Sequence, residues 1–206
     1  MSPATVEDVP GLAAILFEEY MEMHEWTRVR FEAVDPEDRH RYLAAGLRED
    51  LTCPKAPLVI QKMVDEDSGD IVAFLQLNDC NVPPNPRDDV EPIVKPKGYN
   101  VPPMLEHYDK MIAAQKAAMG DVPFMHIADL ATKISHRRRG ISSTLMRWGM
   151  ELADKRKMPI YVEATPDGKF LYDKLGWETV DSWSVDLTKY GGTGTYVEVG
   201  MRYTPC

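Results

Sequence analysis

Apolar positions along the 206-residue chain recur with two different periods, and the switches between them divide it into elements. Between residues 5 and 20, Leu12, Ile15, Leu16 and Tyr20 recur at helical spacing, with Thr5 or Asp8 as cap and Pro10 in the first turn. A second helix is predicted over 36–51, where Asp35 precedes Pro36 as a natural N-cap. Residues 58–64 and 71–77 read as strands joined by a hairpin turn at Asp65-Glu66-Asp67-Ser68-Gly69-Asp70. The pattern then breaks. Residues 80–103 hold seven of the sixteen prolines and almost no periodicity, which predicts a functional flap or a disordered insert. From 104 to 119 a helical stripe resumes, with Leu105, Tyr108, Ile112 and Gln115 or Met119 near one face, and Gly120 ends it.

A short apolar run, His126 to Ile134, is bounded by turn signals and reads as a strand. It leads into a basic turn of small residues and then a helical pattern over 143–157. A β-rich strand over 159–165, a short helix over 167–175 closed by Gly176, and strands over 178–187 and 195–203 complete the chain. Helices packed on a mixed sheet give an α/β (α+β) domain. The length predicts one domain over 1–206, elaborated by the proline-rich insert and its helix at about 80–119.

Composition narrows the classes. Apolar residues make up 44% of the chain and charged ones 28%, as in soluble globular proteins. No apolar stretch approaches membrane-spanning length and the N-terminus lacks a signal-peptide pattern, so a cytoplasmic location is expected. Cys53, Cys80 and Cys206 are far apart and lack metal-type spacing, which predicts free thiols in a reducing compartment and no metal. A net charge of −9 disfavours nucleic acid and anionic membranes as partners. It suits a cationic partner, although excess acid more often serves plain solubility.

The candidate chemistry centres on Arg137-Arg138-Arg139-Gly140-Ile141-Ser142-Ser143, between the central strand and its helix. A helix N-terminus presents backbone N–H groups without intrahelical partners, and its dipole adds partial positive charge. Three arginines add full charges. Gly140 lets the backbone approach a ligand with no Cβ in the way, and the two serines add hydroxyl donors. Such a turn suits a diphosphate.

Residues 126–177 resemble the GNAT superfamily of acyl-CoA-dependent N-acyltransferases. That family carries Gln or Arg, two residues, Gly, one residue, then Gly or Ala around its pyrophosphate loop, and Arg137 to Ser142 follows this with Ser142 in the last place. Its later signature appears as Leu171-Tyr172-Asp173-Lys174-Leu175-Gly176-Trp177, and Ala4 to Leu12 looks like its first strand leading into the first helix. The resemblance covers most of the chain except residues 80–119. It implies a largely antiparallel mixed sheet of about six or seven strands, with the central strand splayed from its neighbour at 159–165. It implies that the pantetheine arm of acetyl-CoA pairs with backbone groups of Leu130, Ala131 and Thr132, while Arg137 to Ser143 hold the pyrophosphate.

The function implied is N-acetyl transfer to a primary amine of a small molecule. A protein or peptide lysine or N-terminal acetyltransferase is the alternative within the class, and a non-catalytic acyl-CoA sensor the one outside it. By resemblance Tyr172 is the general acid. Two residues compete for the base: His126, eleven residues before Arg137, and Glu163 on the next strand. Strict alternation puts His126 on one face with Ala128 and Leu130, and Asp129 on the other. Trp26 and Tyr108 are candidates to roof the acceptor pocket or to pack in the core. A homodimer is compatible with the sequence.

Overall fold

The computed structural model describes residues 1–21, 25–52, 58–80 and 94–206. Cys53 and the proline-rich run 81–93 lie outside them. Seven strands form one sheet: β1 (Ser2–Pro3), β2 (Leu58–Val64), β3 (Ile71–Asp79), β4 (Met125–Thr132), β5 (Ile160–Ala164), β6 (Glu178–Asp186) and β7 (Thr195–Tyr203). Their spatial order is β1-β2-β3-β4-β5-β7-β6, and every pair is antiparallel except β4 with β5. The helices are α1 (Val9–Met21), α2 (Glu25–Phe31), α3 (Pro36–Thr52), α4 (Val101–Met119), α5 (Ile141–Arg156) and α6 (Pro166–Lys174). The hairpin turn at 65–70 closes as expected, with the Asp65 N–H donating to the Asp70 carbonyl at 2.9 Å.

The two faces of the sheet are covered differently. On one, Leu145, Met146 and Ala153 of α5 and Tyr172 of α6 pack against Ala73, Leu75, Leu77, Ile127, Ile160, Val162 and Met201. On the other, α1 and α3 cover the β2–β4 half through Leu12, Ile15, Leu16, Leu47, Ile60, Phe74 and Ala131. There α2 and α4 cover the β5–β7–β6 half, where Trp26 stacks on Tyr196 with ring centroids 4.9 Å apart. Fully burying one such large apolar side chain is worth roughly 1.5–3 kcal/mol. The two layers therefore fix which strands can part without unfolding the domain.

Helix α4 corrects the expected orientation. Leu105, Tyr108 and Ile112 are 52%, 53% and 39% exposed, so the first three positions of the predicted stripe face outward, while Met119 at its end is buried. The helix also buries Pro103 and Ala114. It sends His107 to Glu198 at 2.7 Å and Lys110 to the Ser184 carbonyl at 2.6 Å. The sheet beneath is studded with Glu163, Glu198 and Tyr161, and a polar floor selects the polar side of an amphipathic helix. Tyr108 thus lies on the surface and Trp26 in the core.

Candidate active site

Strands β4 and β5 part almost as soon as they meet. Only Met125 with Ile160 and His126 with Tyr161 are paired, and β4 runs six residues further without a partner on that side. On its other edge β4 pairs with β3 to the end of both strands. The Lys133 N–H donates to the Val72 carbonyl, so alternation along the ladder aims the backbone of Ala131 at β3 and that of Leu130 and Thr132 into the gap. The Arg137 Nε donates to the Thr132 carbonyl at 3.2 Å, as this requires. Of the three strand residues expected to pair with an extended ligand, Leu130 and Thr132 offer backbone groups to the gap. The backbone of Ala131 is consumed by Phe74.

The register of β4 against β3 contains one irregularity. Gln76 faces Asp129 but Leu77 faces Ile127, so Ala128 is an extra residue. Such a bulge reverses the alternation beyond it. His126, Asp129 and Ala131 therefore share the face covered by α1 and α3, and Ile127, Leu130 and Thr132 share the α5 face. The expectation that Asp129 points away from His126 is corrected by this one residue.

The gap leads to the basic turn. Arg138 and Gly140 both take left-handed conformations, φ 64° and 79°, which curl the chain tightly into α5. The first turn of α5 has no side-chain cap. Among the described residues, no group of the chain accepts from the amides of residues 138–143. Six consecutive free donors beside the gap, with the α5 dipole behind them, form a cradle for an anion. Ser142 Oγ lies 2.8 Å from Thr132 Oγ1 and ties the helix start to the end of β4. Arg139 reaches back to the Ser135 carbonyl at 3.1 Å.

Where the strands part, the two candidate bases meet. His126 Nε2 lies 2.5 Å from Glu163 Oε2, and both side chains are largely buried, at 18% and 10% exposure. Gln115 of α4 approaches the other carboxylate oxygen at 3.5 Å. A neutral imidazole that donates Nε2–H to a carboxylate is left with an Nδ1 lone pair. Among the described residues, Nδ1 of His126 has no partner. On the opposite face Tyr172 is 4% exposed, its ring 5.0 Å from that of Trp177. Burial, then Glu19 and Glu163, push its phenol above the ordinary range.

A sequence model of the acetyltransferase (GNAT) family matches residues 20–177. The chain belongs to this family. The probable acyltransferase SID5 of Ajellomyces capsulatus is 37% identical over 49 residues, a stretch covering 24% of this chain and about a third (36%) of that relative. Solved GNAT folds align along the whole chain. The histone acetyltransferase HPA2 and related acetyltransferase structure from Corynebacterium glutamicum aligns at TM-score 0.62 and 20% identity, covering 100% of this chain and 98% of that one. The mosquito arylalkylamine N-acetyltransferase like 5b aligns at 0.65 and 17%, covering 98% of each.

Several residues of this GNAT chain escaped the sequence reading. Gln115 was visible on the α4 stripe, but no local signal ties it to Glu163. Asp129 was visible but placed on the wrong face, and Gln76 and Asp50 had no reason to be paired across 26 residues. Only the sheet register brings them together.

Proposed function

We infer that the protein transfers an acetyl group from acetyl-CoA to a primary amine of a small molecule, with His126 and Glu163 accepting the ammonium proton. The observation that carries this reading is the 2.5 Å contact between these two residues at the point where β4 and β5 part. The free amides of 138–143 and the unpaired edge of β4 fit a diphosphate and an extended pantetheine arm, held by residues 137–143 and by Leu130 and Thr132. When bound, acetyl-CoA supplies an activated acyl carbon.

An alkylammonium has a pKa of about 10.4, so little neutral amine exists at pH 7. His126 Nδ1 takes a proton from the acceptor nitrogen, directly or through water, and frees the electron pair that forms the N–C bond. Glu163 fixes the imidazole tautomer and stabilises the imidazolium, as a carboxylate does in the Ser-His-Asp arrangement. As the C–S bond breaks, the sulfur keeps the bonding pair and Tyr172 donates a hydrogen bond to it. The raised phenol keeps its proton at neutral pH, so it stabilises the thiolate without full transfer, and the proton on His126 leaves through solvent.

Thiol release from acetyl-CoA, measured against a panel of small amines and lysine-bearing peptides, tests the reading. Saturable release with a small amine is expected. Peptide-only release would move the activity to proteins. A melting-temperature rise with acetyl-CoA but no release with any amine would make the protein a sensor.

A further inference from the structure

The contact between His126 and Glu163 restrains one atom of the imidazole and leaves its plane free. The outer torsion of a histidine side chain is broad, so a ring held only at Nε2 still tilts. Tilt matters for a base, because the Nδ1 lone pair lies in the ring plane and is aimed with it. A second neighbour has to set that plane.

Tyr161 is placed to do so. It faces His126 in the last β4–β5 pair before the strands part. The two rings lie 28° from parallel with centroids 6.5 Å apart, an offset arrangement within the range of attractive aromatic pairs. Glu163 follows two residues later on the same face of β5. One strand therefore grips His126 twice, at Nε2 through a carboxylate and along the ring through a phenol. Tyr161 is itself closely held. It is fully buried, and Phe124 meets it edge-on with centroids 6.2 Å apart. Its hydroxyl lies over β7 at Gly200, the residue that faces Glu163. A β-carbon there would overlap the hydroxyl oxygen and stand 3.1 Å from Cζ. Gly200 does not have a left-handed φ, so the close approach of Tyr161 accounts for the glycine.

The hydroxyl bonds to no described residue although it is buried. An unpaired buried polar group costs about 1–3 kcal/mol, so the useful part of this side chain is its ring. We propose that Tyr161 is a positioning residue: its ring, seated on Gly200, fixes the plane of the His126 imidazole and so aims Nδ1 at the acceptor nitrogen. The proposal rests on the acetyl-transfer reading above and adds a residue that acts through His126.

The test is a double-mutant cycle on kcat for thiol release, in the full chain, with saturating acetyl-CoA and an amine that the wild type uses. Tyr161→Leu should lower kcat by about ten- to a hundredfold, the cost of a misaimed group, with KM for acetyl-CoA changed by less than about threefold. In a His126→Ala background the same substitution should change kcat by less than about twofold, because its effect passes through the imidazole. A merely structural role would lower kcat equally in both backgrounds. Gly200→Ala crowds the hydroxyl and should also lower kcat. Adding Tyr161→Phe removes the overlapping oxygen, keeps the ring and should restore kcat to within about threefold of the wild type. If Tyr161→Leu does not fold, the Gly200→Ala pair decides. Equal losses in the two His126 backgrounds, no loss in Tyr161→Leu or in Gly200→Ala, or a Gly200→Ala loss that Tyr161→Phe does not relieve, overturns the positioning role and leaves the transfer reading standing. A wild type that releases no thiol with any amine would sink the transfer reading itself, and the role of Tyr161 with it.

Discussion

The cradle proposed for the diphosphate and the site proposed for the amine are built by opposite means. The cradle is one contiguous run, residues 138–143, and its donors are backbone amides that any sequence with the right turn would expose. The amine site proposed above is assembled from side chains of three elements: His126 of β4, Gln115 of α4 and Glu163 of β5. The first is positive and local. The second is negative and depends on strand register. A main-chain site tolerates most side-chain changes that keep its φ angles, whereas a side-chain site is lost by moving one strand by one residue.

The largest effect should come from the cradle's single conformational requirement. Gly140→Glu places a β-carbon at φ 79° and a carboxylate beside six amides meant for an anion. Acetyl-CoA should then give no rise in melting temperature at any accessible concentration. Gly140→Ala separates the two causes, because backbone strain alone costs about 1–2 kcal/mol, or roughly tenfold in affinity. Unchanged affinity in Gly140→Glu would remove the cradle from the site.

Next comes the pocket's proton acceptor. His126→Ala should lower kcat by about 10²–10⁴, the usual contribution of a positioned base, and remove the rise in rate with pH. Glu163→Gln should lower kcat by nearly as much with little change in affinity for acetyl-CoA, since the amide no longer holds the imidazole tautomer. If both variants keep the alkaline-rising limb, the pair is structural and the contrast between the two halves narrows to charge alone.

The same contrast explains what was legible in the sequence. Arg137 to Ser143 could be read as an anion site because strand, turn and helix signals are local and the donors belong to the backbone. The paired fork end could be half read. His126 and Glu163 were each visible as rivals, but nothing in one dimension says that two residues 37 apart share a hydrogen bond. The bulge was illegible, since Ala128 carries none of the glycine that often marks such a site, and its neighbours alternate as a regular strand would. That one residue misplaced Asp129. In α4 the stripe was half right: Met119 is buried and Gln115 reaches Glu163, but Leu105, Tyr108 and Ile112 face outward, because their spacing says nothing about a polar floor contributed by β5 and β7.

A smaller effect should expose the cost of burying Asp129. Burial, Glu19 and Asp50 raise Asp129 from 3.8 to about 7, so the native state binds more protons than the unfolded chain between those values. Stability therefore falls as pH rises from about 4 to 7 and stays lowered above that. Asp129→Asn removes this penalty. Because Asp129 is only partly buried, the gain at pH 8 should be about 2 kcal/mol, or roughly 5 °C in melting temperature for a chain of this size. Near pH 4 the two melting temperatures should coincide. A difference independent of pH would mean that Asp129 is not the group titrating.

The smallest effect tests whether the cradle uses its hydroxyls at all. Ser142 stands where the family pattern has Gly or Ala, and Ser142 Oγ is 2.8 Å from Thr132 Oγ1. A hydroxyl committed to β4 supports the angle at which α5 leaves the strand. Ser142→Ala should then cost about 1 kcal/mol of stability, the net worth of one hydrogen bond. Its affinity for acetyl-CoA should change by less than about threefold, because the amides of 138–143 are untouched. A tenfold loss of affinity with unchanged melting would instead put the hydroxyl on the phosphate, and the cradle would then share with the pocket a dependence on side chains.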